Sequence, residues 1–183
     1  TVATSGVEDA QTLTITLNGY NYSGSISSNS VTISVSATDL QALSEGTNTI
    51  TANVSDAAGN AASQSSTTFT YDKTSPSITS ITPSWGSHLN ATEDNSSGTV
   101  TVATSGIEDG QTVTVGLNGT NYTGSVSNNS VTVTISATDL QALSEGTNTI
   151  TADVSDVAGN AASQSSTTFV YDKTSPSISS ITL

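Results

Sequence analysis

Residues 1–82 can be laid on residues 101–182 without a gap, and only 16 of the 82 pairs differ. Whatever this chain folds into must therefore be completed within a 100-residue period, and completed twice. Adjacent copies of one module suit that constraint far better than a single large domain built around one site. No flexible spacer separates the copies; they meet at Lys73-Thr74-Ser75-Pro76, where proline stiffens the step and removes a backbone donor. The second copy is preceded by residues 83–100, which hold Trp85, His88, Glu93 and Asp94, and nothing ahead of Thr1 corresponds to them. The expected organisation is residues 1–75 as a repeat lacking its own first strand, residues 76–176 as a complete repeat, and residues 177–183 (Ser177 to Leu183) as the first strand of a following repeat. The chain reads as an excerpt of something longer.

The strand signal is strong and frequent. In Val131, Val133 and Ile135 the apolar residues alternate with Thr132 and Thr134, which puts one face inward and one toward water. The same criterion predicts strands over residues 77–82, 99–104, 111–117, 120–125, 131–136, 148–154 and 161–171, the last spanning ~35 Å at ~3.3 Å per residue. Asn118-Gly119 is a two-residue hairpin turn, because both residues tolerate the positive φ of a type I′ turn. One helical turn is predicted over residues 137–143, capped by Ser136 or Thr138 and turning Leu140 and Leu143 inward. Seven short strands in about 100 residues, with turn chemistry between them, specify an all-β fold: tandem immunoglobulin-like antiparallel β-sandwiches.

Composition narrows the function. Only 33% of residues are hydrophobic, so each sandwich has a thin core. Fifteen acidic residues against Lys73 and Lys173, without a single Arg, give a net charge of −13 and argue against nucleic acid or anionic lipid as partners. Cations are the natural partners. With no Cys there are no disulfide staples and no thiol chemistry, and no apolar stretch approaches the ~20 residues of a membrane helix, so direct membrane insertion is not expected.

Several runs carry a family resemblance: Leu117-Asn118-Gly119-Thr120-Asn121-Tyr122, then Ala137-Thr138-Asp139-Leu140 with Ser144-Glu145-Gly146, then Val154-Ser155-Asp156-Val157-Ala158-Gly159-Asn160, closing on Tyr171-Asp172-Lys173-Thr174-Ser175-Pro176. In order and spacing the chain resembles the bacterial Ig-like extender repeats of giant secreted biofilm adhesins, including the RTX type. The resemblance covers essentially the whole chain. It implies an extracellular spacer at a bacterial cell surface, part of a larger secreted protein, whose modules hold a ligand-binding tip away from the cell and are stiffened by Ca²⁺.

Strand direction sorts the acidic residues. If residues 77–82 run up from the linker, the loops at 106–110, 126–130 and 154–160 share the lower pole. That pole collects Glu108, Asp109, Asn128, Asn129, Asp153, Asp156 and Asn160, and the linker adds Asp72. Such a set of oxygens, with Lys73 the sole neighbouring cation, is what a six- to eight-coordinate Ca²⁺ junction site needs. The upper pole gathers Glu93, Asp94, Asn95, Asp139, Glu145 and Asp172 as a weaker set. In the first copy Glu8, Asp9, Asp56 and Asn60 form the corresponding lower set, weaker because Asn53 replaces the Asp153 counterpart and no acidic residue of the Asp72 kind precedes it. Asp-x-x-Gly-Asn is equally good turn chemistry, so each loop also stands as a plain Asx turn.

Catalysis has little to stand on, since His88 is the sole His, is not duplicated, and has no Cys or Ser–Asp partner set around it. Trp85 is expected to plug a sandwich end or interface rather than stack a sugar. The threonine faces are expected as ordinary solvent-side strand residues rather than an array for carbohydrate or ice. A ligand-binding Ig-like module, recognising glycan or protein through its loops, is the alternative to a spacer; a recognition surface should vary between copies in its loops, and most differences are strand swaps such as Val7 to Ile107 and Ile33 to Val133. The residues 177–183 strand is expected to pair with the open edge of another molecule's first repeat, because an unpaired edge is a template.

Overall fold

The computed structural model describes all 183 residues and divides into two compact units, Thr1–Lys73 and Thr74–Leu183. The first unit contains β1 (Val2–Ala3), β2 (Thr12–Leu17), β3 (Tyr20–Ser25), β4 (Ser30–Val31), the single helical turn α1 (Ala37–Gln41), β5 (Gly46–Asn53) and β6 (Ser65–Tyr71). One sheet has the order β3-β2-β5-β6, all antiparallel; the other is reduced to the pair β1-β4, with Val2 opposite Val31 and Ala3 opposite Ser30. The core is correspondingly small, with Leu13, Ile15, Ile26 and Val31 buried together.

The second unit contains β7 (Ser77–Pro83), β8 (His88–Asn90), a 3-10 turn (Glu93–Asn95), β9 (Gly98–Ser105), β10 (Thr112–Leu117), β11 (Thr120–Ser125), β12 (Ser130–Ile135), α2 (Ala137–Gln141), β13 (Gly146–Asp153) and β14 (Ser165–Asp172). One sheet runs β12-β9-β7 and the other β11-β10-β13-β14-β8. The period-two pattern decides which side chains point inward: along β12, Val131, Val133 and Ile135 are buried while Thr132 and Thr134 are exposed. Between the sheets lies a continuous core that includes Val100, Val102, Val113, Val115, Ile150, Phe169 and Tyr171. This is an antiparallel β-sandwich, closed at the Asn118-Gly119 hairpin by two consecutive residues at positive φ, 50° and 78°.

Two sequence expectations need correction here. The final strand begins at Ser165 rather than at residue 161, so it spans about 26 Å, not ~35 Å. Ala161 makes only an isolated bridge to Ser155, because the turn from Asp156 to Asn160 folds the chain back on itself before the ladder starts. Residues 84–97 are more than a loop. They supply β8, which adds to β14 in parallel with Leu89 opposite Tyr171, and they carry Trp85 into the core, where its ring meets Phe169 edge-on at 5.2 Å. Gly98 makes room for that ring, since a Cβ there would stand 2.5 Å from the indole.

The helical turn forms in both units, each capped by the serine that opens it: the Asp139 N–H donates to Ser136 Oγ, and the Asp39 N–H to Ser36 Oγ. In the second unit Leu140 is fully buried; its counterpart Leu40 is 40% exposed. Residues 177–183 carry no strand pairing, and Ile178 and Ile181 are each 85% exposed.

Candidate functional site

The lower pole of the second unit is assembled by carboxylates reaching between loops. Gly106 and Gly110, at φ of 73° and 92°, bend the β9–β10 loop so that Glu108 and Asp109 face the neighbouring turns. Asp109 Oδ1 accepts the Asn128 N–H at 2.8 Å, tying that loop to the β11–β12 turn. Glu108 Oε2 accepts the Val157 N–H at 3.1 Å, tying it to the β13–β14 loop. Asp156 closes its own turn, accepting the Asn160 N–H at 2.8 Å and Asn160 Nδ2 at 2.9 Å. Burial of Asp156 raises its pKa, but the hydrogen bonds from the Asn160 side chain and backbone outweigh this and hold the carboxyl below its ordinary value. Asp153 stands slightly apart at the strand end, where Gln164 Nε2 donates to both of its oxygens.

The first unit repeats this construction. Asp9 accepts the Ser28 N–H, Glu8 the Ala57 N–H, and Asp56 both donors of Asn60. The side-chain and backbone hydrogen bonds from Asn60 hold Asp56 below the ordinary carboxylate range. Asn53 takes one hydrogen bond from Gln64 where Asp153 takes two from Gln164.

At the upper pole of the second unit the acidic residues are again tied to donors. Glu93 Oε2 accepts the Asn90 N–H, Glu145 Oε1 accepts the Lys173 N–H and the Thr174 hydroxyl, and Asp172 accepts the Thr174 N–H. Asp139 accepts from Ser136 Oγ at 2.7 Å, and Gln141 donates to Asn95 across to the 3-10 turn. The buried Tyr171 hydroxyl donates to the buried Asp94 carboxylate, and this bond, with burial, pushes the phenol up to about 12. Sequence reasoning placed Asp94 on this pole but missed its partner, because the two lie 77 residues apart and nothing local marks them.

The second unit thus brings Glu108, Asp109 and Asp156 to one end and Glu93, Asp94, Asp139, Glu145 and Asp172 to the other. Asp72 belongs to the first unit. By chemistry the donors suit a hard divalent cation, being oxygen throughout. By geometry they fall short of a cage from carboxylates alone: no three acidic or histidine side chains are grouped as metal ligands. A cation at either pole would draw the rest of its coordination from asparagine, backbone carbonyls and water. His88 is exposed, and its Nδ1 shares a 3.0 Å hydrogen bond with the hydroxyl of the adjacent Ser87.

Residues 2–73 match the family model described as the bacterial Ig-like domain. That stretch is similar to a bacterial Ig-like domain. Residues 102–173 of the second Ig-like unit repeat the matched sequence with 15 differences, and both units have the sandwich architecture. Among solved structures, a Ca²⁺-stabilised adhesin that helps an Antarctic bacterium reach out and bind ice is 24% identical, with a TM-score of 0.54 over 95% of this chain and 43% of that one. A 1.5-MDa bacterial ice-binding adhesin is 25% identical, with a TM-score of 0.53 over 92% of this chain and 55% of that one. The fibronectin(III)-like modules of Clostridium thermocellum CbhA share the fold at 12% identity, with a TM-score of 0.52 over 94% of this chain and 83% of that one. This Ig-like chain therefore spans about half, or less, of the adhesin chains it resembles. None of the curated proteins matches it in sequence.

Proposed function

We propose that these Ig-like units are extender repeats of a large bacterial surface adhesin, serving as length rather than as a binding or catalytic surface. The observation that carries this reading is the near-identity of residues 1–82 and 101–182, lower-pole ties included, with most of the 16 differences being exchanges within strands. A recognition module would diversify its loops; here the backbone N–H ties made by Glu8, Asp9 and Asp56 are made again by Glu108, Asp109 and Asp156, even where the residue carrying the N–H changes, Ser28 to Asn128 and Ala57 to Val157. The adhesin fold relationship supports an extracellular placement.

We further propose that Ca²⁺ binds the lower pole and stiffens successive units. The net charge of −13 favours cation uptake, and for an extracellular site, calcium at ~10 times the dissociation constant adds about 1.4 kcal/mol. Thermal melts with matched small-angle scattering, in millimolar CaCl₂ and after EDTA, test it. The expected outcome is a higher melting temperature and a longer, stiffer particle in calcium. Glu108→Gln and Asp109→Asn, which keep an acceptor for the Val157 and Asn128 N–H groups while removing charge, should lose that response, and Asp72→Ala tests the contribution expected of the linker carboxylate. A melt and a scattering curve both indifferent to calcium would leave the acidic residues as loop ties alone.

A further inference from the structure

Lys73 and Lys173 are the only lysines of a chain that has no arginine, and they occupy the same place in the two units. Each lies two residues past a tyrosine paired with the glycine that opens the preceding strand: Gly46 stands opposite Tyr71, and Gly146 opposite Tyr171. Those glycines, at φ of 99° and 105°, turn the chain so that the residue ahead of each, Glu45 or Glu145, sits beside the outgoing end of β6 or β14. The carboxylate then accepts the backbone N–H of the lysine, Glu45 Oε1 from Lys73 at 3.1 Å and Glu145 Oε1 from Lys173 at 3.0 Å. The ammonium groups lie over the rings of Tyr71 and Tyr171, 5.8 and 5.6 Å from the ring centres. In the second unit the amide that follows the lysine is held as well, the Thr174 N–H donating to Asp172 Oδ1 at 2.9 Å.

The tie fastens a stretch that no ladder holds. β6 ends at Tyr71 and β7 starts at Ser77; residues 72–76 belong to no strand, and Lys73, Thr74 and Ser75 are exposed. Proteases nick exposed backbone outside ladders, and one of the trypsin class also needs a cationic side chain to fill its specificity pocket. Every other loop of this chain offers neutral or acidic side chains, and the acidic ones are repelled by a pocket built for a cation. We propose that the Lys73–Thr74 bond, repeated at Lys173–Thr174, is a cleavage site for a lysine-directed serine endoprotease, gated by Glu45 and Glu145. The serine oxygen of the protease adds to the Lys73 carbonyl, and the C–N bond breaks as Thr74 leaves as an amine, taking the proton held by the protease's histidine. Water then hydrolyses the acyl-enzyme and leaves Lys73 as a carboxylate. To enter the protease the chain must straighten through Lys73, which breaks the bond to Glu45, so the rate follows the population of the released form. The cut falls outside every ladder and leaves both sandwiches whole. Its use, shortening a fibre by entire repeats, rests on the extender reading; the cleavage itself does not.

The test is limited digestion of the whole folded chain with trypsin as the probe, the products being weighed by mass spectrometry and their β-sheet content followed by circular dichroism. Residues 1–73 and 74–173 should accumulate with the sheet signal retained. Glu45→Ala should speed the Lys73 cut about tenfold relative to the Lys173 cut in the same molecule, the scale of one lost hydrogen bond to a charged group, and Glu145→Ala should reverse that preference. Glu45→Gln, which keeps an acceptor for the Lys73 N–H, should stay near the parent ratio. Chymotrypsin separates release of the tie from unfolding: its cuts at the buried Leu13 and Leu17 should be no faster in Glu45→Ala than in the parent. A Lys73–Thr74 bond that trypsin opens only in urea, or loss of the sheet signal on cleavage, would overturn the site. A ratio of the two cuts unmoved by either alanine variant, or chymotryptic cutting that rises in step with the tryptic, would overturn the gate. None of these readouts involves calcium or particle length, so failure here leaves the extender reading untouched.

Discussion

Aspartates that close turns and an aspartate that takes a buried phenol are used differently, and the difference is measurable. Tyr171 donates to Asp94 inside the second unit, a charged hydrogen bond of a kind worth about 1.5–3 kcal/mol. Tyr171→Phe should lose stability of that order, because it strands a buried carboxylate, and denaturant unfolding of the second unit would report it. The pH dependence has a definite sign. The folded phenol lies at about 12 against an ordinary 10.0, so the neutral form is the one the fold favours; this contribution is fully present below pH 10 and is lost as pH rises through 12. Absorbance titration should show one tyrosine ionising together with unfolding. Asp156 runs the other way. Its depressed pKa supplies stability above the ordinary 3.8 that disappears as pH falls through its folded value, and Asp156→Ala should flatten that acid limb of the stability curve. The local half of this chemistry was readable beforehand, since Asp156 to Asn160 is an Asx-type turn within five residues; the Tyr171–Asp94 pair was not, because only the packed sandwich brings residue 94 to residue 171.

Among the elements, residues 84–97 distinguish the two units most. Trp85 and Leu89 cover the end of the second core, and Leu140, Phe169 and Tyr171 are buried beneath or beside them, while Leu40, Phe69 and Tyr71 in the first unit remain exposed or half-buried. Trp85→Ala should cost about 3–5 kcal/mol, the range for removing a buried aromatic side chain. Gly98→Ala should also destabilise, by about 1–3 kcal/mol, because its Cβ would overlap the indole ring while the backbone there needs no glycine. Chemical denaturation followed by the fluorescence of the single tryptophan reads Gly98→Ala directly; circular dichroism reads both. The alternation in β12 and the hairpin at Asn118-Gly119 announced their strands, whereas β8 did not: three residues with one apolar side chain carry too little periodicity to be seen before β14 is in place to pair with them.

Across the whole chain, two nearly identical sequences are held by unequal cores, so a single two-state transition is not expected. Calorimetry should resolve two transitions, the lower belonging to Thr1–Lys73 and the upper to Thr74–Leu183. Trp85→Ala supplies the assignment, since it should move the upper transition and leave the lower in place. One merged transition, shifted as a whole by that substitution, would show that the units unfold together.

The fold class was legible in the amino-acid sequence, because it rests on local properties: period-two burial and positive-φ turn residues. What the acidic loops do was left open between metal ligands and turn chemistry, since sequence spacing says which residues share an end but not which donors each carboxylate reaches. Only the tertiary structure decided that Glu108 and Asp109 each bond to a backbone N–H of another loop and that residues 84–97 complete the core. Each of these depends on partners far apart along the chain, and such contacts exist only once two sheets have closed on a common core.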